Sequence, residues 1–242
     1  MYRRDLAYIL DTGFTSFVTK AAPGLLRMLR QNRIHGGLVV DAGCGSGIWA
    51  RRLSDAGYAV LGIDISASMI GLARKQAPAA KFLVESFFRA RLPPCDAITS
   101  IGECVSYAFD PSSGKPALVR FFQRVYAALR PGGVFIFDII EPGVAPDGTP
   151  QRRFLEGHDW AILLEVREDR NGGILTRRIA SFRQVGRLYR RSEELHILHL
   201  FPRGELQAML SQVGFQVKTL SGYGRLRFAA AHVGFLARRS LR

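Results

Sequence analysis

At 242 residues and 48% hydrophobic content, the chain is long enough for one α/β domain with a continuous core, and it holds no apolar run near the roughly 20 residues that cross a bilayer. Its opening, Met1-Tyr2-Arg3-Arg4-Asp5, does not read as a signal peptide, and Cys44, Cys95 and Cys104 show no CxxC or Cys/His ligand spacing, so a cytoplasmic protein without disulfides, metal or membrane partner is expected. The net charge of +14 invites a nucleic-acid partner, but it is spread evenly, +6 over residues 1–121 and +8 over 122–242, with no basic tail or run.

In chain order, Phe14, Phe17, Val18, Ala21, Leu25 and Leu29 recur at helical spacing and are interrupted at Pro23-Gly24, which predicts two short helices within an N-terminal lid over residues 1–35. Leu38-Val39-Val40 is a short apolar run of the kind buried in a parallel sheet. A helix from Ile48, a strand at 59–63, a helix at 67–76, and strands at 81–84 and 96–100 follow. Leu118, Phe121, Phe122, Val125, Tyr126 and Leu129 share one helical face, and Pro131-Gly132-Gly133 is expected to end that helix before a strand at 134–137. Such alternation means a mostly parallel sheet with helices on both faces. From Trp160 the rhythm changes. Residues 160–168 and 174–182 read as strands joined at Asn171-Gly172, a hairpin pair, and 187–201 offers a third. Residues 152–201 are therefore expected to be an inserted antiparallel meander. A helix at 205–212 and strands at 215–220 and 233–237 complete one domain, 1–242, without repeats or linkers.

The stretch with most chemistry is Asp41-Ala42-Gly43-Cys44-Gly45-Ser46-Gly47, at the end of the first strand and the start of a helix. Glycines there let the backbone approach a ligand, and the helix N-terminus presents unpaired N–H groups. Seventeen residues beyond Gly47, the second strand ends in Asp64, where a carboxylate can accept from both ribose hydroxyls. Nicotinamide and flavin enzymes use glycine turns too. Here the spacing is Gly-x-Gly-x-Gly, not Gly-x-Gly-x-x-Gly, and Asp41 two residues before the first glycine suits a cationic ligand better than a pyrophosphate.

With Asp41 to Gly47, Asp64, and Leu129-Arg130-Pro131-Gly132-Gly133 before the fifth strand, the chain resembles the class I S-adenosylmethionine-dependent methyltransferases over about residues 36–142 and again from 203. The resemblance implies a Rossmann-like α/β fold, a seven-stranded mostly parallel sheet with helices on both faces, and S-adenosylmethionine as cofactor. It implies that Asp41, Ala42, Gly43, Cys44, Gly45 and Gly47 hold the methionine part, that Asp64 takes the ribose and that Ile65 packs on the adenine. It also places Ser86 and Phe87 at the adenine amino group, with Glu85 as alternative, and Ile101 and Gly102 at the methionine end, with Glu103 facing the acceptor.

Pro94-Cys95 comes before the fourth strand, where the nucleophile of cytosine-C5 methyltransferases does not belong, and Ile101-Gly102-Glu103-Cys104 replaces the Asn/Asp-Pro-Pro-aromatic sequence of adenine-N6 enzymes. Glu194 and His196 share one strand face and can form a base-and-orienter pair, whereas His196 and His199 point to opposite faces. This segment is loosely similar to N-methyltransferases of amino sugars and glycine, in which an inserted sheet covers the active site. The expected reaction is in-line methyl transfer to nitrogen or oxygen of a small molecule, with Tyr8, Glu103 and His196 on the acceptor side. An RNA acceptor and a non-catalytic cofactor-binding scaffold are the alternatives; the oligomeric state is not legible.

Overall fold

The structure, a computed structural model, describes residues 2–145, 149–169 and 173–241. Helices α1 (Arg4–Gly13) and α2 (Ser16–Gln31) come first. The expected break at Pro23-Gly24 is corrected: α2 runs straight through Pro23. Proline removes one helix hydrogen bond, but Ala21, Ala22, Gly24, Leu25 and Leu29 are all buried on one face, and that packing outweighs the loss.

The core follows as β1 (Leu38–Ala42), α3 (Ile48–Asp55), β2 (Ala59–Asp64), α4 (Ala67–Gln76), β3 (Lys81–Val84), β4 (Cys95–Ser100), a 3-10 turn at Cys104–Ser106, α5 (Lys115–Ala128) and β5 (Leu129–Ile140). Arg130-Pro131-Gly132-Gly133 lies inside β5 and not between helix and strand, with a register slip against β4 between Cys95 and Ala97. Next come β6 (Gln151–Glu156), β7 (Trp160–Asp169), β8 (Ile174–Val185) and β9 (Leu188–His199), then α6 (Arg203–Val213), β10 (Gln216–Leu220), the two-residue β11 (Gly222–Tyr223) and β12 (Leu226–Arg227), and β13 (His232–Arg238).

Seven strands form one sheet in the order β10-β13-β5-β4-β1-β2-β3, antiparallel only where β13 meets its neighbours. This is the Rossmann-like arrangement expected. The chain leaves β1 toward β2 on one side and returns to β4 on the other, so a crevice opens at the carboxyl ends of β1 and β4. One face is packed by Phe121, Phe122, Leu206 and Leu210, the other by Leu25, Leu29, Trp49, Leu53 and Ile70.

Strands β6 to β9 form a separate antiparallel sheet in sequence order. It has one strand more than expected, because Arg152, Arg153 and Phe154 of β6 are all exposed and give no alternation to read. The Asn171-Gly172 turn lies outside the described residues. Leu6 and Ile9 of α1 pack on Trp160, Ile162 and Ile179, which fixes α1 against this sheet. No helix among the described residues is long and apolar enough to cross a membrane.

Candidate active site

The glycine turn after β1 holds Gly43, Gly45 and Gly47 at φ +83°, +52° and +83°, a region that side chains disfavour. The three glycines serve different ends. A Cβ on Gly43 would sit 2.6 Å from Cys104 Sγ, and one on Gly47 would sit 2.8 Å from Ala73 Cα, so Gly47 lets α3 and α4 approach. Beyond Gly45 and beyond Gly102 (φ +89°) there is open space, the cradle that a side chain would fill. That space is a cavity of about 260 Å³ lined by Asp41, Gly43, Cys44, Gly45, Asp64, Ile65, Phe87, Ile101 and Gly102, nine of the twelve residues assigned to the cofactor from the sequence. Ala42, Gly47 and Ser86 do not reach its wall. Ala42 gives its carbonyl to the Ser100 hydroxyl at 2.8 Å, and Ser86 Oγ accepts from the Phe88 N–H at 3.3 Å, so both are spent on holding loops. Tyr2, Phe14, Phe17, Trp49, Met69, Cys104 and Tyr107 also line the cavity, and none of them is expected there from the sequence.

Two buried carboxylates face this space. Asp64 Oδ2 accepts from Gly45 N at 2.9 Å and Oδ1 from Ser66 N at 2.8 Å, so the second strand's acid also sets the shape of the first strand's turn. Burial raises its pKa against those two bonds. Asp41 accepts from the Thr99 hydroxyl at 2.9 Å, and Trp49 Nε1 donates to that hydroxyl at 3.1 Å. Desolvation pushes Asp41 up to about 7, with Thr99 opposing and Asp64 adding repulsion. A cation placed in this cavity would relieve both acids. The residues therefore fit a cationic nucleoside such as S-adenosylmethionine.

A second cavity of about 560 Å³ adjoins the first, and Tyr2, Leu10, Phe14 and Tyr107 line both. Its other walls come from Leu6 of α1, Glu103, the end of β5 with the residues that follow it, the meander, and the segment that enters β13. Glu103 faces it, and its carboxylate meets Arg177 Nη2 at 2.8 Å, while Arg177 Nη1 donates to the Tyr107 hydroxyl at 2.8 Å. Burial works against the Arg177 charge, but Tyr107 and Glu103 more than restore it, and its pKa is raised.

His196 is on this wall too, but it is 1% exposed. Its Nε2 lies 2.9 Å from Glu194 Oε2, and Nδ1 is buried without a partner. Tyr2 and Phe109 meet its ring edge-on at 4.8 and 4.9 Å. Desolvation lowers its pKa, and Glu194 Oε1 meanwhile accepts the Arg3 N–H at 2.9 Å. The pair thus pins the N-terminal segment to the meander. His196→Ala should cost about 1–3 kcal/mol of stability, the usual range for a buried hydrogen-bonded group. Equilibrium denaturation checks this, and an unchanged midpoint would contradict it.

Tyr8 is a correction. Its hydroxyl donates to Asp159 at 2.8 Å and its ring lies 3.5 Å from the Arg183 guanidinium carbon, on a surface recess away from both cavities. Tyr2 is the tyrosine of this segment that reaches the site: its hydroxyl donates to Tyr107 Oη at 3.0 Å, and its carbonyl accepts from Ser66 Oγ at 2.7 Å. The phase of α1 sends Tyr8 outward.

Asp138, also unforeseen, is fully buried at the end of β5. It accepts from Gly102 N and Glu103 N at 3.0 Å and from the Tyr223 hydroxyl at 2.8 Å, and His232 Nε2 lies 2.8 Å away. A lone acid in the apolar run Val134 to Ile140 was the one available sequence signal.

Comparison with known proteins agrees with this geometry. Residues 39–133 match the family profile described as a methyltransferase domain. The chain is 33% identical over 134 residues to the malonyl-[acyl-carrier protein] O-methyltransferase of Pectobacterium atrosepticum, covering 54% of this chain and 50% of that one. It is 24% identical over 221 residues to the dTDP-3-amino-3,6-dideoxy-alpha-D-glucopyranose N,N-dimethyltransferase of Streptomyces fradiae, covering 84% and 79%. The chain spans about half the length, or less, of several other curated relatives it matches. In fold it is similar to an S-adenosylmethionine-dependent methyltransferase of Clostridium acetobutylicum, with a TM-score of 0.82, 17% identity and 98% of each chain covered. Residues 39–133 thus match a methyltransferase domain, and with its glycine turn, paired acids and sheet order on the same crevice the chain is similar to S-adenosylmethionine-dependent methyltransferases.

Proposed function

We propose that this protein transfers the methyl group of S-adenosylmethionine to an amino nitrogen of a small polar acceptor of amino-sugar size. The observation that carries this reading is the pair of cavities with one shared wall. The first fits the cofactor. The second, roofed by the meander and α1, has room for a small molecule but not for a polynucleotide backbone, which together with the dispersed charge speaks against an RNA acceptor. Intact cofactor residues beside a second cavity speak against a scaffold. Nitrogen is favoured over oxygen because the likeness to the amino-sugar enzyme spans 84% of this chain and that to the O-methyltransferase 54%.

On this reading residues 1–242 work as one domain in the cytoplasm, where the free thiols Cys44, Cys95 and Cys104 stay reduced. Residues 1–35 serve as a lid and 152–201 as the acceptor cover. The backbone at Gly43, Gly45 and Gly102 seats the cofactor, Asp41 balances its cationic end, Asp64 takes the ribose, and Ile65 and Phe87 border the adenine. When bound, the cofactor supplies a methyl on a sulfonium that is already a good leaving group. Alignment and exclusion of water by Tyr2, Phe14 and Tyr107 then account for much of the rate. The Glu103–Arg177 pair orients the acceptor.

The test is to incubate the protein with methyl-labelled cofactor and, separately, dTDP-3-amino-3,6-dideoxyglucose, a small-molecule extract and an RNA extract. Label is expected on an amine in the small-molecule arms. Label confined to RNA would overturn the reading.

A further inference from the structure

We propose that His232, held by Asp138, takes the proton that an amine acceptor must lose, at the junction of the two cavities. The inference rests on the second cavity being the acceptor site, and it assigns the catalytic base within that site.

The placement comes first. Phe17 is on the wall of the cofactor cavity and His232 on that of the acceptor cavity, and their rings stack at 5.7 Å and 13°. Phe228 stacks on His232 at 4.2 Å and 7°. Asp138 receives the N–H of Gly102, from the first wall, and that of Glu103, from the second. His232 thus lies on the acceptor wall, against a ring of the cofactor wall, and Asp138 behind it ties the two walls together.

The hydrogen bonds then fix the ring form. Four donors converge on the Asp138 carboxyl: two backbone N–H groups, the Tyr223 hydroxyl and His232. As the common acceptor, it requires the hydrogen of the neutral imidazole on Nε2 and leaves a lone pair on Nδ1. No hydrogen bond engages Nδ1 among the described residues. His196 is the contrasting case, with Nε2 taken by Glu194 and the ring 1% exposed, while the His232 side chain keeps 11%.

Backbone strain points to the same place. Three described non-glycine residues have positive φ: Arg33 at 64°, Glu103 at 64° and Ala231 at 59°. Two of them adjoin this carboxylate, Glu103 through its N–H and Ala231 as the residue before His232. The Ala231 carbonyl is held by the Glu141 N–H at 2.7 Å. Such conformations cost free energy and persist where the surroundings over-determine them, commonly at functional sites.

The step balances without further reagents. An acceptor ammonium gives one proton to His232 Nδ1: its N–H bond breaks and an Nδ1–H bond forms. Asp138 offsets the imidazolium charge, and the freed nitrogen pair attacks the methyl carbon as the carbon–sulfur pair stays on sulfur. The proton returns to water when product leaves.

Two measurements test this. Nitrogen NMR of the imidazoles, with S-adenosylhomocysteine bound, should show His232 protonated on Nε2 and not on Nδ1; the opposite tautomer overturns the proposal whatever the acceptor is. With dTDP-3-amino-3,6-dideoxyglucose as probe, His232→Phe, which keeps the ring stack, should lose about a hundredfold or more in kcat. It should stay folded with S-adenosylhomocysteine affinity near that of the parent, while the donor lost to the buried Asp138 lowers its melting temperature. His232→Ala should regain part of its turnover with added imidazole. Unchanged kcat in His232→Phe, or a loss in folded His232→Ala that imidazole does not restore, overturns the assignment. If the parent protein methylates no amine, the acceptor reading fails instead, and the tautomer alone decides the ring's role.

Discussion

Asp41→Asn should weaken S-adenosylmethionine binding tenfold to a hundredfold at pH 8, about 1.4–2.8 kcal/mol, the range for a hydrogen bond to a charged group. The amide keeps the contact with Thr99, whose hydroxyl donates at 2.9 Å, and loses only the charge that faces the cavity. The effect carries a pH dependence of known sign. Burial raises the Asp41 pKa from 3.8 to about 7, so below pH 7 the carboxyl is protonated and cannot balance a cation. Affinity in the parent protein should therefore rise about tenfold per pH unit up to about 7 and then level off, while the variant should lack this slope.

Stability without ligand should move the other way. A carboxyl whose folded pKa is raised favours the fold fully below its unfolded pKa of about 3.9, and that contribution is lost as pH rises through about 7. Above pH 7 the charged Asp41 is a burden, and Asp41→Asn should be more stable than the parent at pH 8 though it binds less tightly. Calorimetric titrations from pH 5 to 8, with melting curves at both ends, separate the two effects. An identical pH slope in the variant would remove Asp41 from cofactor binding.

Gly24→Ala should destabilise the protein by about 3 kcal/mol or more, at the upper end for overpacking against a rigid neighbour. At an exposed helix position the same change would stabilise by up to about 1 kcal/mol, because alanine has the better helix propensity. Geometry decides the sign here. A Cβ on Gly24 would lie 2.4 Å from the Tyr223 carbonyl carbon and 2.5 Å from Gly224 N, both backbone atoms of a tight β11–β12 turn. Neither can swing away as a side chain would. For a chain of this size the melting temperature should fall by roughly 6–12 °C. Because Tyr223 also donates to Asp138, and α2 carries Phe17, turnover in the remaining folded protein should fall as well. A melting temperature within a degree of the parent would show that α2 and β11 are not locked together.

The sequence by itself determined the parts of this protein whose chemistry lies within a few residues. Alternating apolar runs and helical faces specify the parallel sheet because period and turn residues act locally. Asp41, Gly43, Gly45 and Asp64 were legible because a glycine turn at a strand end has few other uses, and the structure puts all four on one cavity. The single acid in β5 was visible, but its partners were not. His232 is 94 positions from Asp138, and Arg177 is 74 from Glu103, so nothing local records that either pair meets. The phase of α1 turned Tyr8 away from the site, Tyr2 reaches it from the extended segment before the helix, and packing on β11 carried α2 past Pro23. Strand β6 escaped notice because an edge strand with exposed Arg152, Arg153 and Phe154 buries no face that would impose alternation. The cofactor motif is local, and so it was readable. The second cavity is assembled from five segments far apart in the chain, and only the tertiary structure brings them together.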